Sequence, residues 1–250
     1  MMDALDLREL AEKLKTADNE KTQIAILQEM EKILLTKYVI RIGEHIIEPL
    51  WVEAYYYSRG KFEDENPHRD ILQFNRFGKL YIKSGAYGGA DICLSTGDYC
   101  LSFRMKAFLA DNVYKTDTGI FDLYSTKEEQ CKAEQITLQW IPKERPYKII
   151  YTNRVNIKKE SYKDAFLGAY SSDYLKNCHS SFPESYKKQW QRSIFALLQV
   201  DCIEKAQGIA KELNGAEIDK KYWTWAVEDW KESKQYDLCC IPFIKERKFD

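Results

Sequence analysis

Residues 38–57, YVIRIGEHIIEPLWVEAYYY, predict the centre of the fold. Tyr38–Ile42 has the β-branched, alternating pattern of a strand, and Gly43-Glu44 supplies a tight turn. Ile46–Tyr57 then continues as a long apolar strand. The sequence therefore predicts a β-hairpin whose second strand is rich in apolar and aromatic side chains.

Helices are predicted on either side of this strand-rich centre. Leu7, Leu10 and Leu14 recur at helical spacing within residues 3–17, and a second helix is expected after Asn19. Further strands are predicted at 79–83, 91–95, 99–107 and 135–141, with an apolar run at 147–157. Because strands and helices do not alternate, we expect an α+β fold with a mainly antiparallel sheet.

The chain is expected to form a single domain over residues 1–250. Its predicted parts are N-terminal helices in 1–35, a β-rich core in 36–157, and a helical C-terminal region in 158–250 that ends in a strand. A hydrophobic fraction of 44% in 250 residues excludes an intrinsically disordered chain. The net charge of −1 counts against a large nucleic-acid footprint.

The sequence also predicts a compartment and excludes several kinds of site. No stretch approaches the roughly 20 apolar residues of a membrane-spanning helix, so we expect no membrane partner. The N-terminus lacks a signal-peptide pattern and the seven cysteines are scattered, which favours a cytoplasmic protein. No His-x-x-x-His, Cys-x-x-Cys or phosphate-loop motif occurs, so no metal site is expected.

One acidic residue stands out within the second strand of the hairpin. Glu53 lies in LWVEAYYY, residues 50–57, where a buried carboxylate is costly unless it is paired or serves as a general base. Tyr55 and Tyr57 share its face because strand side chains alternate. Arg104 lies inside another predicted strand. Two interpretations remain open: a floor for a flat polar ligand, or an ion pair between Glu53 and Arg104 that only stabilises the core.

The order of these segments resembles the alkyladenine (3-methyladenine) DNA glycosylase family. The matching elements are KILLTKYV at 32–39, VEAY at 52–55, His68, GKLYI at 78–82, DICLS at 91–95 and LSFR at 101–104. The resemblance covers roughly residues 30–108, and 153–157 is similar to a later segment of the family. The family fold would make 36–157 a glycosylase-like core.

The resemblance implies a role for four residues. Glu53 would match the general base that activates the hydrolytic water, and Arg104 the arginine that positions this water. Tyr55 would match a ring that stacks on the flipped base, and His68 the imidazole beside it. A carboxylate both activates water and stabilises an oxocarbenium-like transition state, and the base must leave the stack to be reached. The family needs no metal and no organic cofactor.

The chain departs from the family at three positions that would contact substrate. Lys83 falls where the family has a second stacking tyrosine, and Cys93 where it has an asparagine that helps to exclude guanine. Ala86 falls where the family inserts a tyrosine into the duplex, although Tyr87 is the next residue. These departures leave the expected water-activating pair in place but change the expected substrate contacts.

A basic, aromatic segment favours a nucleic acid as partner. Residues 143–163 contain seven Lys or Arg against two Glu, interleaved with three tyrosines. Cations with aromatic rings suit phosphate contacts and base stacking, but the same pattern is also typical of a solvated face.

Three functions are therefore compatible with the sequence. The first is a DNA N-glycosylase-like hydrolase of base excision repair, which removes an alkylated or deaminated base by Glu53-activated water attack. The second is a non-catalytic nucleic-acid-binding module of the same fold. The third is an N-glycoside hydrolase that acts on a small nucleoside.

Overall fold

The computed structural model describes residues 4–84, 88–147, 149–152, 154, 162, 165 and 167–171. Within these residues the helices are α1 (Leu5–Thr16), α2 (Glu20–Thr36), α3 (Ile120–Leu123) and α4 (Lys127–Gln135). The strands are β1 (Tyr38–Ile42), β2 (His45–Ser58), β3 (Phe62–Glu63), β4 (Lys79–Lys83), β5 (Gly89–Cys93), β6 (Cys100–Ala110), β7 (Val113–Thr116), β8 (Gln139–Pro142), β9 (Ile149–Thr152) and β10 (Gly168–Ser171). The expected α+β fold is confirmed.

The strands form one antiparallel sheet around the long strand β2. Its central order is β4-β5-β6-β2-β1-β8. β2 pairs with β6 along most of its length, while its other edge pairs first with β1 and then, at residues 51–53, with β10. A register shift between Pro49 and Val52 separates these two halves of β2. The second half, which carries Glu53, is therefore enclosed by strands on both edges.

The two N-terminal helices cover one face of this sheet. Asn19 begins α2 as expected, because its side-chain oxygen accepts a hydrogen bond from the Thr22 amide at 2.9 Å. The core contains alternate residues of β2 together with the apolar stripes of both helices: Leu7, Leu14, Leu27, Leu34, Val52, Ala54 and Tyr56. Since strand side chains alternate, Glu53, Tyr55 and Tyr57 project from the opposite face.

The structure departs from the strand predicted at 135–141 and from the helical region predicted beyond residue 157. The strand expected at 135–141 begins only at Gln139, because α4 extends to Gln135. Thr126 and Glu129 form a reciprocal capping box that begins this helix, a signal that strand periodicity does not report. In addition, β10 lies beyond residue 157, so the sheet continues into the region that was expected to be helical.

The remaining C-terminal predictions, including the strand near residue 240, lie outside the described residues. Among the helices of the described part, none has the length and apolar character needed to cross a membrane.

Candidate active site on the polar face of the sheet

A row of polar residues crosses four neighbouring strands on the face opposite α1 and α2. The register places Glu53 of β2 opposite Arg104 of β6, and Arg104 opposite Asp91 of β5. Asp91 in turn lies opposite Tyr81 of β4. Side chains of directly opposed residues project to the same face of an antiparallel pair. Strand pairing therefore gathers two carboxyls, a guanidinium and a phenol from four separate segments of the chain.

Glu53 is held in this row by the tyrosine two residues further along β2. The Tyr55 hydroxyl donates a hydrogen bond to Oε2 of Glu53 over 3.1 Å. Desolvation, and next the charge of Glu53, raise the pKa of Tyr55 well above its usual value, so the phenol keeps its proton and remains a donor. Glu53 itself is only 1% exposed. The carboxylate is thus oriented by a neutral donor and closed off from bulk solvent.

Tyr55 is backed by a buried ion pair that the sequence analysis did not identify. The guanidinium of Arg154 lies 4.8 Å from the centre of the Tyr55 ring and donates to both carboxylate oxygens of Asp64. It also donates to the carbonyl oxygen of Ala54 at 3.2 Å. Arg154 and Asp64 are fully buried. The pair fixes both the tyrosine ring and the backbone next to Glu53.

Arg104 is fixed by two aspartates and by the backbone that immediately precedes β5. Its Nη1 lies 4.0 Å from Oδ1 of Asp91, and its Nη2 lies 3.6 Å from Oδ2 of Asp117 and donates to the carbonyl oxygen of Gly88. Lys106 shares Asp117 at 2.9 Å. Burial lowers the pKa of Arg104, but the two aspartates outweigh burial and raise it, so the guanidinium stays charged.

His68 and Tyr81 form the other side of the site. The Nδ1 atom of His68 lies 2.7 Å from the Tyr81 hydroxyl oxygen, within hydrogen-bonding distance. Partial burial, and then the positive charges of Lys83, Arg69 and Arg104, lower the pKa of His68. The imidazole is consequently neutral at pH 7. Burial raises the pKa of Tyr81 to about 12, so this phenol is neutral as well.

The three other residues predicted to contact substrate, Lys83, Cys93 and Tyr87, do not share one environment. Lys83 lies opposite Gly89 at the end of β4, and its charge acts on both His68 and Asp91. Cys93 is fully buried with its Sγ 3.8 Å from Oε1 of Gln73, and burial raises the pKa of this thiol, so it is not a thiolate. Tyr87 lies outside the described residues.

The sequence analysis missed Tyr81 and Asp91, although a signal for both was present. Tyr81 lies two residues before Lys83 on β4, and Asp91 lies two residues before Cys93 on β5. Each therefore projects from the same face of its strand as a residue that was predicted to contact substrate. Alternation along β4 and β5 could have identified them. Asp64 and Arg154 carried no such signal, because their pairing depends on a contact between residues ninety positions apart.

A second buried carboxyl lies on the helix side of β2. Oε1 of Glu31, on α2, accepts a hydrogen bond from the Ala54 amide at 3.2 Å, while its Oε2 has no hydrogen-bond partner among the described residues. Burial raises the pKa of Glu31 well above its usual value, and the charge of Glu53 acts in the same direction. This shift favours the protonated form of Glu31, which lies behind the strand that carries Glu53.

Glu48 is the centre of a separate polar cluster near the other end of β2. A surface cavity of about 380 Å³ lies beside this cluster, and Glu48 and Lys143 are among the residues that line it. The carboxylate of Glu48 accepts hydrogen bonds from Lys143 at 2.7 Å and from Tyr147 at 2.9 Å, and Arg145 lies 3.1 Å away. These partners lower its pKa, although partial burial opposes them. Because all three partners already satisfy Glu48, the cavity does not present an unpaired carboxylate.

No cluster of three or more metal-ligating side chains occurs among the described residues. The chain matches no family model, and a comparison with curated proteins gives no match.

Proposed function

We propose that this chain is a DNA N-glycosylase-like hydrolase that removes a modified base through water activated by Glu53. The observation that carries the proposal is the orientation of Glu53 by Tyr55 within the polar row that also contains Arg104. A fixed carboxylate beside a fixed cation can accept a proton from water and hold that water toward the anomeric carbon of a sugar.

The aromatic groups of the site supply the other requirement, a slot for a flat base. Tyr55 and the His68–Tyr81 pair provide neutral ring faces on the same side of the sheet as Glu53. Neutral rings stack on a base without adding charge to it, and a flipped base is held by such stacking. In this proposal the base lies over the rings and its sugar is directed toward Glu53.

A panel of duplex oligonucleotides, each with one alkylated or deaminated base, tests this function. We expect the wild-type chain to produce abasic sites, detected as alkali-labile strand breaks. Glu53→Gln keeps an acceptor for Tyr55 but cannot take a proton, so the rate should fall by about 100-fold or more. Glu44→Gln, in the exposed β1–β2 turn, is the matched control and should retain the wild-type rate. Base release by Glu53→Gln at the wild-type rate would contradict the proposal.

Two observations favour the other functions compatible with the sequence. The 1% exposure of Glu53 favours a non-catalytic binding module, since substrate reaches a closed carboxylate only after its cover opens.

The second observation concerns the basic segment: Lys143 and Arg145 pair with Glu48, and Arg154 is buried with Asp64. Three cations of the basic segment are thereby paired with two carboxylates, which leaves less positive charge for phosphate contacts and favours a small nucleoside as substrate. Salt-dependent DNA binding without base release supports the module; base release from free nucleosides alone supports the small substrate.

A further inference from the structure

The most informative group outside the predicted site residues is the carboxyl of Asp91. Asp91 lies in the middle of β5 and is only 6% exposed. It occupies the same row as Glu53 but two strands away, with Arg104 between them. Adjacent strands are about 4.8 Å apart, so the two Cα atoms are separated by about 10 Å. The two carboxyls therefore lie on the same face of the sheet, on either side of Arg104.

One oxygen of Asp91 is buried and lacks a hydrogen-bond partner among the described residues. Its Oδ1 lies 4.0 Å from Nη1 of Arg104, which is beyond hydrogen-bonding distance. A buried carboxyl oxygen without a partner carries a large desolvation cost as an anion. The same oxygen costs less when it carries a proton that can be donated to a ligand.

The protonation of Asp91 depends on charges from several elements. Burial raises the pKa of Asp91, and the charge of Glu53 adds to that effect, whereas nearby cations oppose it. The cations are Arg104, Lys83 and Lys106. The other titratable neighbours are Tyr55, Tyr81, Cys93, Cys100 and, on the adjoining turn, Asp117. Burial outweighs the three cations, so the pKa of Asp91 lies above its usual value.

We propose that Asp91 is the general acid that protonates the departing base, an inference that rests on the proposed hydrolase function. Glu53 takes a proton from water as the water oxygen forms a bond to the anomeric carbon. The carbon–nitrogen bond breaks and its electron pair stays on the base, where a ring nitrogen accepts the proton of Asp91. Asp91 then regains a proton from solvent and Glu53 releases one, which restores the starting state.

Two leaving groups with different proton requirements test this role. Hypoxanthine in DNA departs as an anion unless it is protonated, whereas 7-methylguanine already carries a positive charge and departs as a neutral base. Asp91→Asn has the same shape but cannot donate an acid proton. We expect Asp91→Asn to slow hypoxanthine release by about 100-fold or more. The fold-decrease in the rate of 7-methylguanine release should be smaller than this by a factor of about ten or more. If Asp91 donates the proton, wild-type hypoxanthine release should decline at high pH as Asp91 loses that proton, and Asp91→Asn should lack this decline.

The control variants separate chemistry from folding. Asp91→Glu retains an acid and should recover part of the lost hypoxanthine activity. Ile92→Val changes the neighbouring buried residue on the opposite face and should leave the ratio of the two rates unchanged. Equal losses for both bases, or no loss for either, would overturn the role of Asp91. If the wild-type chain releases neither of these bases nor any other base of the panel, the proposed function itself fails.

Discussion

Because Gly89 has no side chain, it leaves the space that the guanidinium of Arg104 occupies in the site. A Cβ atom added there would lie 2.7 Å from Cζ of Arg104, which is closer than such contacts occur. The residue also has φ +155, a conformation that other residues rarely adopt. The guanidinium thus occupies the space above Gly89, where it reaches the carbonyl oxygen of Gly88.

At this scale we predict that Gly89→Ala destabilises the protein by about 2–4 kcal/mol, because backbone strain adds to the displacement of Arg104. Gly60→Ala is the matched control: Gly60 has φ +73, but nothing lies within 4 Å of an added Cβ. It should lose only about 1–2 kcal/mol through strain. Urea unfolding of both variants measures the difference, and equal losses would show that Arg104 does not depend on this space.

The edge strand β4 illustrates how elements around the sheet support the site. β4 carries Tyr81 and is the outermost strand of the central order. The Ile82 amide on its open edge donates to Oε1 of Glu134, on α4, at 2.7 Å. A helix that covers the edge satisfies a backbone donor and blocks pairing with another chain. The position of Tyr81 therefore depends on α4.

At the scale of elements, we expect Glu134→Ala to destabilise the protein by about 1 kcal/mol and to accelerate hydrogen exchange of the Ile82 amide. Glu134→Gln keeps an acceptor oxygen at the same place and should preserve most of the protection. Exchange followed by NMR distinguishes the two variants. Unchanged protection of Ile82 in Glu134→Ala would rule out this contact as the support of β4.

For the whole molecule, buried carboxyls make stability depend on pH. Burial raises the pKa of Glu31 in the folded state, whereas in the unfolded chain it titrates near 4.3. Between these two values the folded state retains a proton that the unfolded state has lost. The free energy of unfolding therefore falls as pH rises through this window, by at most about 1.4 kcal/mol per pH unit for one group.

We predict that Glu31→Gln becomes more stable than the wild-type chain as pH rises from about 4 to 7, with little difference at the lower end. The amide cannot ionise, and its oxygen can still accept the Ala54 hydrogen bond. Glu29→Gln, a half-exposed position on the same helix, should show no such trend. Urea unfolding at several pH values gives the comparison; a constant difference across pH would mean that folding does not change the pKa of Glu31.

The sequence by itself determined the hairpin, the two N-terminal helices and the presence of an acid within an apolar strand. These features are local: alternation, helical spacing and the Asn19 cap act over a few residues. It also indicated Glu53, Tyr55 and Arg104, since a charged or aromatic residue inside a strand pattern is visible without knowledge of its neighbours.

Only the tertiary structure decided which groups meet. Asp91 and Tyr81 join Glu53 because of strand register, and Arg154 meets Asp64 across ninety positions of chain. Lys143 and Arg145 likewise share the single carboxylate of Glu48. Register and long-range ion pairs depend on the free energy of the whole sheet, to which each residue contributes little. A local pattern therefore reveals a strand but not its partners.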